Sequence, residues 1–300
     1  MGHNPVLKKL GCCNTDRVVV INADDIALCS ATLPAFFNLI DAGLVSSGSV
    51  MVPCAGFSEF ADLYRHNLSA DVGIHLTLTS EAKSYRWGPV SICDPASGLI
   101  DGDGYFHRDQ SLWKDIDSEA FVMEMRAQVE RARNAGIDLT HIDTHQFSAL
   151  NPRLINHYVA LGFEHQIPVL MVRHPHVVKL LSEKVINEWE EQGLPIFDHF
   201  AELPLNQPEK GRAGQAKKMF DNLLPGLTCI LIHPAQDTPE LRAMTDNWPQ
   251  RVADYETFMS TDIGDYMRES GIKFIKWQAL REVMQASLCP LAIAHKHSDL

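Results

Sequence analysis

Residues 17–28 read RVVVINADDIAL, an apolar run that ends in two adjacent carboxylates, Asp24 and Asp25. The four apolar residues before Asn22 predict a buried β-strand. An aspartate often caps the helix that follows a strand, but a cap uses only one carboxylate. Two adjacent buried carboxylates repel each other unless a cation or a shared proton relieves the repulsion. The stretch therefore predicts a strand whose carboxyl end carries a polar site, and a bound metal would resolve the conflict.

Short apolar runs alternate with longer helical patterns along the rest of the chain. The clearest helical pattern covers 118–136, where apolar residues recur every three or four positions and a glycine closes the pattern. Repeated strand-then-helix units imply parallel strands joined by crossovers. We expect an α/β fold of the (β/α) barrel type, distorted or with fewer than eight regular strands, because no glycine-rich nucleotide motif follows the first strand. The predicted strands are 17–22, 45–52, 71–78, 138–145, 168–173, 227–233 and 272–277, with a weaker one at 195–200.

The length of 300 residues suits one large barrel, so we expect a single catalytic domain over 1–300. One segment, 80–116, is too long for an ordinary connection and is rich in glycine, proline and aspartate. Such a segment is either a functional wall or lid over a site, or a surface insertion without a role. We expect a lid, and the aromatic faces within "YRW" (85–87) suit stacking on sugar rings.

The composition narrows the classes of partner. A net charge of −12 repels polyanions, so nucleic acid and anionic membranes are poor partners, and a neutral or cationic substrate fits better. The seven cysteines are odd in number and lack paired spacing, which indicates a reduced, cytoplasmic protein. Neither a signal peptide nor a membrane-spanning run is expected from the apolar pattern. A homo-oligomer is compatible with the sequence, which leaves the oligomeric state open.

Polar residues recur where the predicted strands end, which is where barrel enzymes place their chemistry. Each has a plain structural alternative: an aspartate as a helix cap, and a lone histidine as a core residue bonded to a carbonyl. Residues 141, 143 and 145 point to one face of a strand, however, and three polar side chains in an apolar interior require a reason. The full set is Asn22, Asp24, Asp25, His75, His141, Asp143, His145, Arg173 and His233.

One aspartate and two histidines form a ligand set suited to a catalytic divalent metal that keeps a position open for water. Such a metal lowers the pKa of its water and polarises a carbonyl oxygen. The second aspartate could then accept the proton of the water, and a separate histidine could protonate the leaving group. The set does not name the ion, and zinc or magnesium is expected.

Five motifs occur in the order found in one known family. The stretches VINADDIAL (20–28), DVGIHLTLT (71–79), THIDTHQ (140–146), MVRHP (171–175) and ILIHPA (230–235) together resemble the motifs of the YdjC-like carbohydrate deacetylases. This resemblance implies a barrel-like fold similar in logic to the polysaccharide deacetylases. It also implies a metal-dependent hydrolase that removes an N-acetyl group from an amino sugar or short oligosaccharide, with a small carbohydrate as the partner.

The resemblance implies roles for individual residues. Asp25, His75 and His145 would bind the metal, with His141 as the rival for the third place. Asp24 would be the base and His233 the acid. We further expect substrate contacts from three residues: Arg173, Asp143 and Trp87.

The chain also departs from the family pattern at two places. Ile26 and Ala27 stand where the family usually has Phe-Gly, and Phe147 and Ala149 stand where further histidines often occur. The second departure lies beside the expected metal site, so it bears on which sugar is accepted and leaves the class of reaction intact.

Two other functions remain open at this point. The same scaffold could carry another metal-dependent hydrolase, acting on a phosphoester or on an amide that is not part of a sugar. Phosphate chemistry would call for more cations than Arg173 alone. The chain could also be a sugar-binding protein without catalysis, but binding alone gives no reason to keep Asp24 beside a metal ligand.

Overall fold

The computed structural model describes residues 4–82, 85–91, 94–113 and 117–288. Parallel β-strands alternate with helices along the chain, as the sequence predicts. The helix predicted over 118–136 is present as Ser118–Asn134, and its apolar stripe is fully buried. The strands are β1 Arg17–Ile26, β2 Ser47–Val50, β3 Val72–Leu76, β4 Leu139–Thr144, β5 His199–Glu202, β6 Gly226–Ile232 and β7 Lys273–Phe274. The helices are α1 Pro5–Lys9, α2 Thr32–Asp41, α3 Phe57–Tyr64, α4 Ser118–Asn134, α5 Ile155–His165, α6 Pro175–Glu191, α7 Arg212–Asp221, α8 Pro239–Met244, α9 Trp248–Met259, α10 Thr261–Glu269 and α11 Trp277–Leu288.

The strands form one parallel sheet in the order β4-β3-β2-β1-β6-β5, with β7 paired to the amino-terminal half of β1. No regular strand closes the gap between β4 and β5 among the described residues. Segment 168–172 crosses this gap through two single bridges, Ile142 to Val169 and Val172 to Phe197. The predicted strand 168–173 is therefore divided between two neighbours, since its first part pairs toward β4 and its last part toward β5. The result is an open, barrel-like sheet with fewer than eight regular strands.

The two faces of β1 serve different parts of the core. Val19 and Ile21 face the main cluster, in which helices pack on the sheet. Val18 and Val20 face a smaller cluster that also holds Phe197 and Trp277. Because side chains alternate along a strand, the face of Val18 and Val20 continues into the polar residues at the carboxyl end. The site therefore lies directly above the smaller apolar cluster.

A backbone irregularity in β1 explains how adjacent aspartates can serve one site. The pairing of β1 with β2 shifts register between Ala23 and Ile26, so β1 carries one extra residue there. Asp25 has φ of 59°, a left-handed conformation that L-residues other than asparagine and aspartate seldom adopt. Bulges of this kind often redirect a side chain beside an active site. The irregularity removes the simple alternation that would send the two carboxylates to opposite faces.

Ala27 also has a left-handed backbone, with φ of 69°, and here we expect a gain in stability on substitution. Ala27→Gly should raise the free energy of unfolding by about 0.5–1 kcal/mol, because alanine clashes with its own backbone in this region and glycine does not. The melting temperature should rise by about 1–2 °C. The control is Ala160→Gly, at an exposed position inside α5, which should lower stability. A lower melting temperature for Ala27→Gly would contradict the strain assigned to this position.

The described cysteines, Cys12, Cys13, Cys29, Cys54 and Cys229, are all free thiols. Cys93 and Cys289 lie outside the described residues. No helix in the described ranges has the length and apolar character that a membrane crossing needs.

Candidate metal centre

Three of the predicted residues converge at the carboxyl ends of the strands. Asp25 Oδ1 lies 3.2 Å from His75 Nε2 and 2.9 Å from His145 Nδ1. The two histidine nitrogens lie 3.4 Å apart, and all three side chains are buried. Asp25 comes from the end of β1, His75 from β3, and His145 from the residue that follows β4.

The spacing of these three atoms fits a single metal ion. Zinc binds nitrogen and oxygen ligands at roughly 2.0–2.2 Å, so the ligand atoms of a tetrahedral site lie roughly 3.3 Å apart. The observed separations of 2.9, 3.2 and 3.4 Å bracket this value. The three side chains could therefore hold one divalent ion and leave a position for water.

A second set of carboxylates orients the two histidines. Asp143 Oδ1 lies 2.7 Å from His75 Nδ1, which turns the other ring nitrogen toward Asp25. Glu81 Oε2 lies 3.0 Å from His145 Nε2 in the same manner. Carboxylates that accept from the far nitrogen of a ligand histidine fix its tautomer and raise its basicity. Each candidate histidine thus turns its other ring nitrogen toward the shared point.

Asn22 joins the ends of three strands in one buried network. Its amide nitrogen lies 2.7 Å from Asp24 Oδ1 and 3.1 Å from Asp143 Oδ2. The same nitrogen contacts Ser49 Oγ at 3.0 Å, while Ser47 Oγ donates to the amide oxygen at 2.6 Å. Asn22 therefore holds Asp24 in place beside the three candidate ligands.

The surroundings of Asp24 and Asp25 shift the pKa values of the two side chains in opposite directions. Burial raises the pKa of Asp24, and the nearby Asp143 carboxylate raises it further, to well above the usual range. Burial also raises the pKa of Asp25, but Arg251 and His145 outweigh this effect and hold the pKa well below the usual range. Asp25 is thus suited to remain an anionic ligand, and Asp24 is suited to accept and carry a proton.

The surroundings of the two candidate ligand histidines favour positive charge on their rings. Burial lowers the pKa of His145, but Glu81 and Asp25 outweigh it and raise the pKa to about 9. For His75, Asp143 and Asp24 likewise overcome burial and hold the pKa well above the usual range. Positive charge is therefore favourable at this position, which is the property that a cation-binding site requires.

His233 follows β6 and faces the same group of charges. Burial lowers its pKa to about 3, although the nearby Asp25 carboxylate opposes this, and its ring Nδ1 is buried without a hydrogen-bond partner. Its backbone N–H donates to Asp254 Oδ2 at 3.0 Å. Arg212 in turn binds the other oxygen of Asp254 at 2.6 Å. The loop that carries His233 is thus anchored, and its neutral ring keeps an unused polar atom.

The three expected substrate-contacting residues lie in different surroundings. Asp143 is buried beneath His75. Trp87 is also buried, places the edge of its ring against His145, and donates from Nε1 to the carbonyl of Thr79 at 2.8 Å. Arg173 is bound by Glu190 at 2.8 Å and by Asn187 at 2.9 Å, both on α6. Only Asp143 and Trp87 are brought to the candidate ligands, and substrate contact by all three stays a prediction.

Sequence reasoning missed two residues that support the candidate ligands. Arg251 of α9 donates from Nη2 to Asp25 Oδ2 at 2.7 Å, and its Nη1 is buried without a partner. Glu81, which orients His145, lies just beyond the second motif. Rules based on strand ends could have suggested Glu81, which follows the strand closely. They carry no signal for a helical arginine that arrives from 226 residues away.

Segment 80–116 is packed against this site. Glu81 and Trp87 contact His145, and Gln110 donates from Nε2 to the carbonyl of Gln146 at 2.9 Å. The structure does not describe residues 83, 84, 92, 93 and 114–116 of this segment. A cavity of about 230 Å³ lies here, and Glu81, Trp87 and Arg251 are among the residues that line it.

His141, the rival ligand, lies apart from the three converging side chains. Its ring stacks on Trp277 with centroids 4.5 Å apart, and its Nε2 is buried without a partner. The approach is so close to β3 that a Cβ at Gly73 would come within 2.4 Å of the ring. Burial lowers the pKa of His141 to about 4. His141 is thus a neutral core residue below the site.

The lowered pKa of His141 predicts that the free energy of unfolding falls at acidic pH. A group whose pKa falls on folding stabilises the folded state above its unfolded pKa of about 6.5, and the contribution is lost as the pH falls toward the folded value. Through His141 alone, the free energy of unfolding should fall by about 2 kcal/mol between pH 7 and pH 5. His141→Phe keeps the stacked ring but cannot take up the proton, so its stability should fall less. The check is denaturant unfolding at both pH values, with His66→Phe, at an exposed position, as the control. Equal acid losses in wild type and His141→Phe would contradict the prediction.

Comparison with known proteins identifies the family of this chain. The family model described as YdjC-like protein matches residues 18–269. The chain belongs to the YdjC-like family. The family predicted from the five motifs is thereby confirmed, and the match covers every strand except β7.

Two relatives of this YdjC-like chain are named carbohydrate deacetylase. One, from Thermus thermophilus, is 30% identical over 277 residues, which cover 89% of this chain and 95% of the relative. The other, from Thermoanaerobacter pseudethanolicus, is 23% identical over 267 residues, which cover 88% of this chain and 100% of the relative.

A solved structure supports the fold. A protein from Enterococcus faecalis V583, whose name proposes cleavage of cellobiose phosphate, matches with a TM-score of 0.72 and 20% identity. The match covers 88% of this chain and 99% of that protein. The predicted α/β, barrel-like class is confirmed.

Proposed function

We propose that this YdjC-like protein is a metal-dependent carbohydrate deacetylase that hydrolyses the N-acetyl group of an amino sugar or short oligosaccharide. The observation that carries the proposal is the buried convergence of Asp25, His75 and His145 with Asp24 beside them. The names of the relatives from Thermus and Thermoanaerobacter support the reaction class. We further propose that one domain carries the reaction, with 80–116 as a wall of its site.

Zinc is the ion that we propose. Two imidazoles and one carboxylate at the observed spacing suit zinc, whereas magnesium prefers oxygen ligands in an octahedral arrangement. When bound, the ion would polarise the acetyl carbonyl and lower the pKa of a water molecule. Arg251 supports this arrangement because its guanidinium holds the second oxygen of Asp25 and thereby orients the first.

Asp24 would act as the base. Burial and the neighbouring Asp143 raise the pKa of Asp24, which makes its carboxylate a stronger proton acceptor than an exposed aspartate. Asn22 fixes one carboxylate oxygen through the contact at 2.7 Å, which limits the positions open to the other oxygen. Asp143 would act on His75 and on the charge state of Asp24, which makes it a positioning residue in this scheme.

His233 would protonate the leaving nitrogen. Its ring is neutral at pH 7 because burial lowers its pKa to about 3, so it must receive a proton before it can give one. We assign that proton to the attacking water, passed through Asp24. Water thus supplies the oxygen of acetate and the proton of the amine, the C–N bond breaks, and no other reactant is needed.

The acidic character of the site argues against phosphoester hydrolysis. Asp24, Asp25, Asp143 and Glu81 surround the candidate ligands, and the cation beside them, Arg251, is already paired with Asp25. The guanidinium of Arg251 is thus already used by Asp25 and is not free to bind a phosphate dianion.

The test is acetate release from N-acetylglucosamine and its short oligomers by zinc-loaded protein. We expect release that stops when a chelator removes the metal and returns when zinc is restored. Phosphate release from a sugar phosphate, with no acetate from any of these sugars, would contradict the proposal.

A further inference from the structure

An apolar groove lies next to the candidate metal centre. It has a volume of about 360 Å³. Two aromatic rings, Phe147 and Phe200, line it together with five aliphatic side chains, Leu150, Leu170, Val172, Val177 and Leu180. We propose that this groove binds an apolar group carried by the N-acetylated sugar, so that the preferred substrate is a glycoconjugate with an alkyl or aryl substituent. This inference rests on the proposed function.

The groove and the metal centre share one turn of chain. Thr144 lines the groove, the next residue is the candidate ligand His145, and Phe147 follows two residues later. The groove also reaches the ends of β4 and β5, which lie on either side of the gap in the sheet. A substrate whose acetyl group lies at His145 therefore has this groove as its neighbour.

The backbone of the turn is strained in a way that displays Phe147. Gln146 and Phe147 have φ values of 51° and 53°, in the left-handed region. Gln110 and Thr79 hold Gln146 through contacts of 2.9 Å and 3.2 Å. Left-handed residues other than glycine cost free energy and tend to persist at functional sites. Phe147 is 42% exposed and meets the edge of Phe200 with ring centroids 5.6 Å apart.

The lining favours an apolar group over a further sugar ring. Its polar side chains are Thr144, His174 and His176, and no Asp, Glu, Lys or Arg is among the described residues that line it. Thr144 already donates toward the Leu76 carbonyl and contacts Ser148. A sugar that entered would lose water from its hydroxyls without enough partners in return.

The size of the groove suits such a group. An apolar cavity of about 150 Å³ is enough for benzene, so about 360 Å³ accepts an aryl ring or a medium alkyl chain. Leu180, on α6, is 39% exposed at the rim, which leaves the groove open to the outside.

The test compares N-acetylglucosamine with its octyl and 4-nitrophenyl glycosides as substrates of the zinc-loaded protein. Each buried methylene should contribute about fourfold, so we expect kcat/KM for the octyl glycoside to exceed that for the free sugar by about tenfold or more. Phe147→Asn removes the ring and keeps a residue that tolerates the left-handed backbone. Leu180→Lys places a charge at the rim. Both variants should lower the octyl-to-free-sugar ratio about tenfold, whereas Leu68→Lys, at an exposed site away from the groove, should leave the ratio unchanged.

A second measurement separates this inference from the proposed function. Calorimetric binding of the octyl glycoside to zinc-free protein should weaken in Phe147→Asn and Leu180→Lys, whether or not acetate is released. If no sugar yields acetate but this binding behaves as expected, the groove stands and the deacetylase proposal fails. If the ratio stays near one and the variants bind the octyl glycoside as the wild type does, the groove proposal is overturned. The proposal would also be overturned if the wild type is a dimer and Leu180→Lys is a monomer, because the groove would then be a subunit interface.

Discussion

Asp24→Asn is expected to reduce acetate release by about 10²- to 10⁴-fold while the protein keeps its metal. Asparagine cannot accept the proton of the water, but its side-chain oxygen can still accept the hydrogen bond from Asn22. The raised pKa of Asp24 indicates that the buried site tolerates an uncharged group here, so stability should not fall. The measurements are turnover on an N-acetylglucosamine oligomer, metal content by mass spectrometry and thermal unfolding.

The control for this variant is Asp41→Asn, at an exposed position at the end of α2, which should behave as the wild type does. Full turnover by Asp24→Asn with metal bound would show that Asp24 is a structural residue, and the proposed proton transfer would then be wrong.

Asp25→Asn should have the largest effect on the metal. The substitution removes a negative charge at the candidate ligand atom, and asparagine tolerates the left-handed backbone of this position. Loss of a residue that merely orients a ligand typically costs about 10- to 100-fold in metal affinity, so loss of a direct ligand should exceed about 100-fold. Chelator competition measures the affinity, and the adjacent Asp24→Asn serves as the matched comparison.

The same variant should also be less stable. Arg251 donates to Asp25 Oδ2 from a buried position, and an unpaired buried charge typically costs about 3–5 kcal/mol. If Asp25→Asn keeps its metal while Asp24→Asn loses it, the two acids have exchanged roles and the reaction class stands. If both variants keep metal at wild-type affinity, the ion binds elsewhere.

The strand ends were predictable because their signal is local. An apolar run followed by a polar residue places that residue at the mouth of a parallel sheet. This rule puts Asp25, His75 and His145 at one edge, and the three side chains converge there in the structure. The same rule could not distinguish His141 from His145, since both lie on one face of a strand. Only the position of Trp277, 136 residues later in the chain, shows that His141 belongs to the core.

Other features escaped the sequence because they depend on contacts between distant segments. The predicted strand 168–173 is apolar and looks regular, yet its pairing is divided between the two edges of the sheet. Arg251 belongs to a helix and contacts Asp25 only after folding. Arg173 follows the strand-end rule, but the acidic side chain of Glu190 binds it on α6. The local sequence pattern predicts which residues reach the edge of the sheet. Ion pairs with residues that are distant in the sequence then determine where each charged side chain points.

The gap between β4 and β5 divides the mouth of the barrel into a stiff half and a compliant half. The candidate metal ligands lie on β1, β3 and the end of β4, which ladders of several residue pairs hold together, with one register shift each in the β1–β2 and β3–β4 pairings. Leu170 and Val172 of the apolar groove lie on the segment that single bridges hold. Amide protons of that segment should exchange with solvent sooner than those of β1, because fewer backbone hydrogen bonds protect them. Evolution could therefore reshape what the enzyme recognises, by insertion or substitution in the compliant half, without disturbing the chemistry held by the stiff one.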